Sequence, residues 1–144
     1  MLHWPDGSTF ATGRSRYLDR DPGRPSETSS VHVQVEFNGV PVLAMLDTGA
    51  AWSVLNAELA GDLELFDRDG EAVTISSRLG AVQGKLVRAK TILVADDGDS
   101  LGFDSTVFVS RQWRAGNFIG YAGFLERIRF AIDPQDNAFI FGGL

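Results

Sequence analysis

From Val31 the chain alternates apolar and polar positions without a break: Val31, Val33, Val35 and Phe37 are separated by His32, Gln34 and Glu36. That period of two marks a strand with one buried face, and places His32 on the solvated one. Asn38-Gly39 follows, the strongest short hairpin signal. Val42-Leu43-Ala44-Met45-Leu46 then returns as a continuous apolar run, the pattern of a strand buried on both faces. Trp52-Ser53-Val54-Leu55 is short and apolar, and Asn56 is placed to cap a helical turn over residues 56–60 that Gly61 ends. Ala72–Ser77 and Leu86–Ala95 read as strands joined by Arg78-Leu79-Gly80-Ala81-Val82-Gln83-Gly84. Two glycines and few anchoring side chains predict a mobile, projecting hairpin there. Phe103–Val109 is a further strand. Phe118-Ile119-Gly120 precedes a short helix over Tyr121–Arg127, and Ile128–Asp133 alternates again. After a turn at 134–137, Ala138–Phe141 closes the pattern. The sum is an all-β chain with one short C-terminal helix.

Composition narrows the classes. One domain of 144 residues buries about two-thirds of its unfolded surface. With no cysteine, disulfide scaffolds, thiolate metal sites and cysteine nucleophiles are excluded together. The net charge of −6 is uneven. Residues 1–30 carry four Arg against four acids, which leaves nine Lys/Arg against fifteen Asp/Glu for the rest. An acidic body without a basic cluster argues against nucleic acid and anionic membrane surfaces. No apolar run reaches bilayer length and no signal-peptide core opens the chain, so a soluble, cytoplasmic protein is expected. Residues 1–30, rich in Gly, Ser, Pro and Arg, are expected as a flexible segment ahead of a domain over 31–144.

The apolar run of 42–46 ends in Asp47-Thr48-Gly49-Ala50. As a bare triplet Asp-Thr-Gly is a good surface turn. Set between two buried segments it becomes a carboxylate at the mouth of a core, with a hydroxyl beside it and a glycine that lets another backbone approach. Asp104-Ser105-Thr106 is the nearest second candidate, but no glycine follows and it sits inside a strand pattern, so Asp104 reads as an ordinary strand residue. The Asp67–Gly70 and Asp96–Asp99 clusters read as solvated turns, since their spacing fails a calcium loop.

Taken together, the strand-borne Asp47-Thr48-Gly49-Ala50, the Gly-containing hairpin and the late Phe118-Ile119-Gly120 resemble the retropepsin-like, single-lobed aspartic proteases over roughly Val31 to Phe141. The resemblance implies a closed β-barrel or sandwich that acts as a homodimer, with Asp47 catalytic and Thr48, Gly49 and Ala50 supporting its loop. Arg78, Leu79, Gly80, Ala81 and Val82 would form a flap over a peptide or protein substrate, and Phe118, Ile119 and Gly120 would pack the catalytic loop. Neither metal nor cofactor is implied. Retroviral members commonly carry acids after Asp-Thr-Gly-Ala and an arginine after the late glycine. Ala51-Trp52 and Tyr121 stand there instead, so both ends of that ion pair are missing together, which favours the bacterial or Ddi1-like branch. Hydrolysis by carboxylates needs two that share one proton, because like charges a few ångströms apart cannot both ionise cheaply. One motif per chain then requires two chains. A non-catalytic peptide-binding or dimerisation module on the same fold is the alternative, and an unrelated β-barrel binding protein is a third.

Overall fold

The computed structural model describes residues 1–20, 30–78 and 80–144. Strands β1 (Leu2–His3), β2 (Thr9–Ala11) and β3 (Gly13–Arg16) come first, and β4 (His32–Phe37), β5 (Val40–Leu46) and β6 (Ser53–Leu55) follow. Helix α1 (Ala57–Asp62) and a 3-10 turn at Leu65–Asp67 lead to β7 (Glu71–Ser77), β8 (Gly80–Leu93), β9 (Asp97–Gly98) and β10 (Leu101–Val109). The chain ends with β11 (Phe118–Ile119), a 3-10 turn at Leu125–Arg127, β12 (Ile128–Asp133) and β13 (Ala138–Gly143).

The larger sheet closes on itself. Pairing runs β10-β6-β11-β5-β4-β8, and β8 pairs again with β10 along Lys85–Leu93, so six strands form a ring with β7 attached outside it. The ring encloses fully buried Phe37, Leu55, Leu65, Ile119 and Phe124. The rings of Phe37 and Phe103 meet Phe124 edge-on, at 6.4 and 5.1 Å, a favoured aromatic geometry. The Asn38-Gly39 turn has both residues at positive φ, +50° and +82°, and sets the β4–β5 register from Phe37↔Val40 to His32↔Met45, as that dipeptide dictates.

Four expectations change. Residues 1–20 do not stand apart as a flexible leader: β3 lies inside a second sheet of order β12-β13-β3-β9, and Ala11, Ser15 and Tyr17 are buried. Apart from Tyr17, the buried positions are small residues, Ala11, Gly13 and Ser15, so no hydrophobic stripe announces them. The Pro-Gly-Arg-Pro stretch within residues 21–29 lies outside the described residues. Among the described residues the one α-helix is α1, capped by Asn56 Oδ1 on the Glu58 amide at 2.9 Å, with Gly61 inside rather than ending it. The C-terminal helix expected over 121–127 is a single 3-10 turn. Gly123 at φ +73° and Phe124 at φ −135° leave helical space, and Glu126 Oε1 takes the Gly123 amide. His32 is buried, because the N-terminal segment runs beside this end of β4 through a Leu18↔His32 bridge, with His32 Nδ1 3.2 Å from the Ser30 carbonyl.

Candidate functional site

Strand β11 lies between β5, to which it is parallel, and β6, to which it is antiparallel. The chain leaving β5 must therefore cross the end of β11 to reach β6, and the crossing is Asp47–Trp52. Each step of the crossing is bonded. The Asp47 amide donates to the Ile119 carbonyl at 2.9 Å, Ala50 O accepts the Tyr121 amide at 2.9 Å, and Ala51 O accepts the Ala122 amide at 2.8 Å. From below, the Gly120 amide donates to Ser53 Oγ at 3.0 Å. Asp47 turns its own loop: its Oδ1 accepts the Gly49 amide at 3.0 Å and its carbonyl accepts the Ala50 amide at 3.1 Å. The carboxylate is half-buried, whereas Thr48 and Gly49 are exposed. Ile119 thus accepts the Asp47 amide and Gly120 lies against Ala50 and Trp52, while Phe118 pairs with Met45.

Strands β7 and β8 project as a hairpin in register from Glu71↔Leu86 to Ser77↔Gly80. The ladder runs further toward the tip than the predicted loop of 78–84 allows, and Arg78 lies in the turn. Leu79 lies outside the described residues. Gly80 sits at φ +104°, a conformation that side-chain-bearing residues resist, and its carbonyl accepts Ser77 Oγ at 2.9 Å. Arg78, Gly80 and Ala81 are exposed, while Val82 is buried with Val54, Leu86 and Phe108.

Between the hairpin and the Asp47 loop lies a cavity of about 400 Å³ lined by Asp47, Gly49–Trp52, Val54, Ile75–Ser77, Trp113 and Phe118. Asp47 is the one titratable side chain in that lining. Trp113 is set by its Nε1–H on the Gly116 carbonyl at 2.9 Å and by an edge contact to Phe118 at 6.0 Å. Sequence reasoning placed Asp47, Gly49, Ala50 and Phe118 here but missed Trp52, Ile75 and Trp113. The alternation of Ala72–Ser77 carries a usable signal for Ile75. A tryptophan in the Arg111–Asn117 loop carries a weak one. Of the flap residues expected from sequence, none of the described ones lines this cavity. A larger open groove of about 700 Å³ along Asn38, Glu64, Asp67, Arg68 and Lys90 mixes charges of both signs and holds no motif. Asp104 is exposed in β10, opposite Lys90. Among the described residues no three acidic or histidine side chains gather to hold a metal, and no helix is long and apolar enough to cross a membrane.

The chemistry available to one chain is thus a half-buried carboxylate at one end of an apolar cavity, under a hairpin. A family model described as gag-polyprotein putative aspartyl protease matches residues 33–100. A search of curated proteins finds no match. Among solved structures the chain is similar to a retropepsin-like aspartic protease from Rickettsia conorii, 19% identical, with 90% of this chain and 98% of that one covered at a TM-score of 0.61. It is also similar to the retroviral protease-like domain of Ddi1 from Leishmania major, 20% identical over 82% of this chain and 96% of that one, TM-score 0.56. The EIAV protease in complex with the inhibitor HBY-793 is 18% identical over 67% and 86%, TM-score 0.48.

Proposed function

We propose, from the family-model match over residues 33–100 and the fold shared with retropepsin-like aspartic proteases, that the chain is an aspartic endopeptidase active as a homodimer. The observation that carries the reading is the position of Asp47, half-buried at the mouth of an apolar cavity beneath the β7–β8 hairpin. Two chains would meet about a twofold axis with their Asp47 carboxylates side by side, an isologous arrangement. The ionised member takes a proton from a water held between them as its oxygen attacks the scissile carbonyl. The protonated member gives its proton to the carbonyl oxygen, so a neutral tetrahedral diol forms, and it takes a proton back from that diol as the C–N bond breaks. The proton taken from water passes to the departing amine, and no acyl-enzyme forms.

Thr48, exposed in the loop, would bond across the axis, and Gly49 would leave room for substrate backbone. Arg78 to Val82 would close over the peptide, adding strand-like pairing along the flap. Residues Ala51 and Trp52, where acids are common in retroviral members, keep a non-catalytic peptide-binding module as the second reading. Incubation with a proteome-derived peptide pool separates the two. The peptidase reading expects new termini that disappear with a pepstatin-like inhibitor and in Asp47→Asn. Peptide retention without cleavage supports the module.

A further inference from the structure

Strand β8 leaves the barrel at Lys85. On one side β10 accompanies it only as far as the pair Val109↔Lys85, while on the other β7 continues with it to Gly80. Beyond Lys85 the β10-side edge of the hairpin has no strand beside it among the described residues, and free edge amides and carbonyls are a liability. At one residue, two side chains take the place of the missing strand. The Gln83 amide donates to Gln112 Oε1 at 3.0 Å, and its carbonyl accepts the Ser110 hydroxyl at 2.5 Å. Ser110 Oγ in turn accepts the Gln112 amide at 3.1 Å. The hydroxyl thus donates once and accepts once, which joins the two side chains into one group.

The loop that carries this group is fixed to the barrel. The Arg111 guanidinium lies 4.2 Å over the Phe66 ring, and the Trp113 carbonyl accepts the Ala57 amide at 2.9 Å. The same loop presents Trp113 to the cavity, and Ile75 of the hairpin lines that cavity with it. One short segment therefore both moors the flap and forms a wall of the site beneath it.

We propose that Ser110 and Gln112 form a releasable latch on the flap, with Gln112 its positioning residue. A ladder of backbone rungs opens in series, whereas a rung made by side chains breaks with one rotamer change. With the latch made, Ile75 is held over the cavity; with it broken, the hairpin edge is free to lift away from Trp113. A peptide side chain that packs between Ile75 and Trp113 binds the latched state better and shifts the population toward it. The latch stands on the hydrogen bonds alone, while its effect on turnover rests on the peptidase reading.

Gln112 is exposed, so Gln112→Ala is expected to fold and melt as wild type. Amide exchange by NMR on the full chain reads the latch. Loss of one acceptor should speed exchange at Gln83 about five-fold. Ile75 and Val82, a facing pair inside the hairpin, should be unchanged. Gln112→Glu, which keeps an acceptor oxygen, should restore the wild-type rate. With a peptide substrate, Gln112→Ala should raise KM about five-fold, with kcat held within about two-fold because Asp47 is untouched. Unchanged exchange at Gln83, or an increase shared by Ile75 and Val82, overturns the latch. Faster Gln83 exchange beside an unaltered KM overturns its coupling to substrate. A wild-type chain that shows the exchange pattern yet cleaves no peptide keeps the latch and removes the peptidase reading.

Discussion

Gly120 lies so close beneath Trp52 that a Cβ on it would stand 2.4 Å from the Trp52 carbonyl carbon and 2.9 Å from the Ala50 carbonyl oxygen. The obstruction is backbone, which cannot swing aside. Gly120→Ala is therefore expected to lower stability by roughly 1–3 kcal/mol, the range for overpacking a close-packed site. Denaturant unfolding checks this. A midpoint equal to wild type would mean that the Asp47 loop is not seated on β11 as described.

Asp47→Asn keeps the shape of the side chain and its acceptor for the Gly49 amide, but cannot give or take the proton. Peptide cleavage should fall by at least about 10²-fold, with an unchanged melting temperature. Retained turnover in purified variant protein would defeat the catalytic assignment.

Gly80→Val forces a β-branched residue toward φ +104°, a strained choice for any residue with a Cβ. The tip of the hairpin carries little of the core, so turnover should drop more than stability. Parallel kcat and melting measurements decide; equal losses would make the tip a structural element and remove the flap role.

If each site holds two Asp47 side chains, specific activity follows the dimer fraction. Dilution should reduce it, and added Asp47→Asn chains should poison wild-type partners. Constant specific activity in a preparation shown to be monomeric by solution mass would sink the shared site.

Asp6 accepts both the hydroxyl and the amide of Ser8, at 2.6 and 2.9 Å, and the hydroxyl bond most of all holds its carboxyl below the usual aspartate value. A depressed carboxyl stabilises the folded form above its unfolded value and loses that contribution as pH falls through the folded one. The β1–β2 turn should therefore loosen at the acid end of the titration, seen as faster exchange of the Ser8 amide. A pH-independent protection factor at Ser8 would contradict this.

Much of this arrangement is legible in the sequence because the signals there are local. Val31–Phe37 alternates, Asn38-Gly39 fixes a turn, and 42–46 runs apolar into Asp47, each read within a few residues. What escaped reading depends on distant partners. Ala11, Gly13 and Ser15 form a packing face only because β13 lies against them, and small residues give no hydrophobic stripe. Tyr121–Arg127 has helical composition, but Tyr121 and Ala122 are bound to the Asp47 loop and Gly123 turns to positive φ. Tertiary bonds outweighed local propensity there. Trp113 meets Asp47 across a cavity whose walls come from four separate stretches of chain, a convergence that periodicity cannot express.

In the smaller sheet, Arg16 faces Ala138 and Gly13 faces Phe141, so its central pair joins residues from opposite ends of the sequence. Loop-closure entropy falls on that pair more heavily than on the β4–β5 hairpin, whose turn is two residues long. On a ribosome, hairpins up to β8 can form as they emerge, whereas β3 must wait for residues 138–141. In refolding, the amides of Arg14 and Ser15 are expected to gain protection last, after the barrel that carries Asp47 has closed.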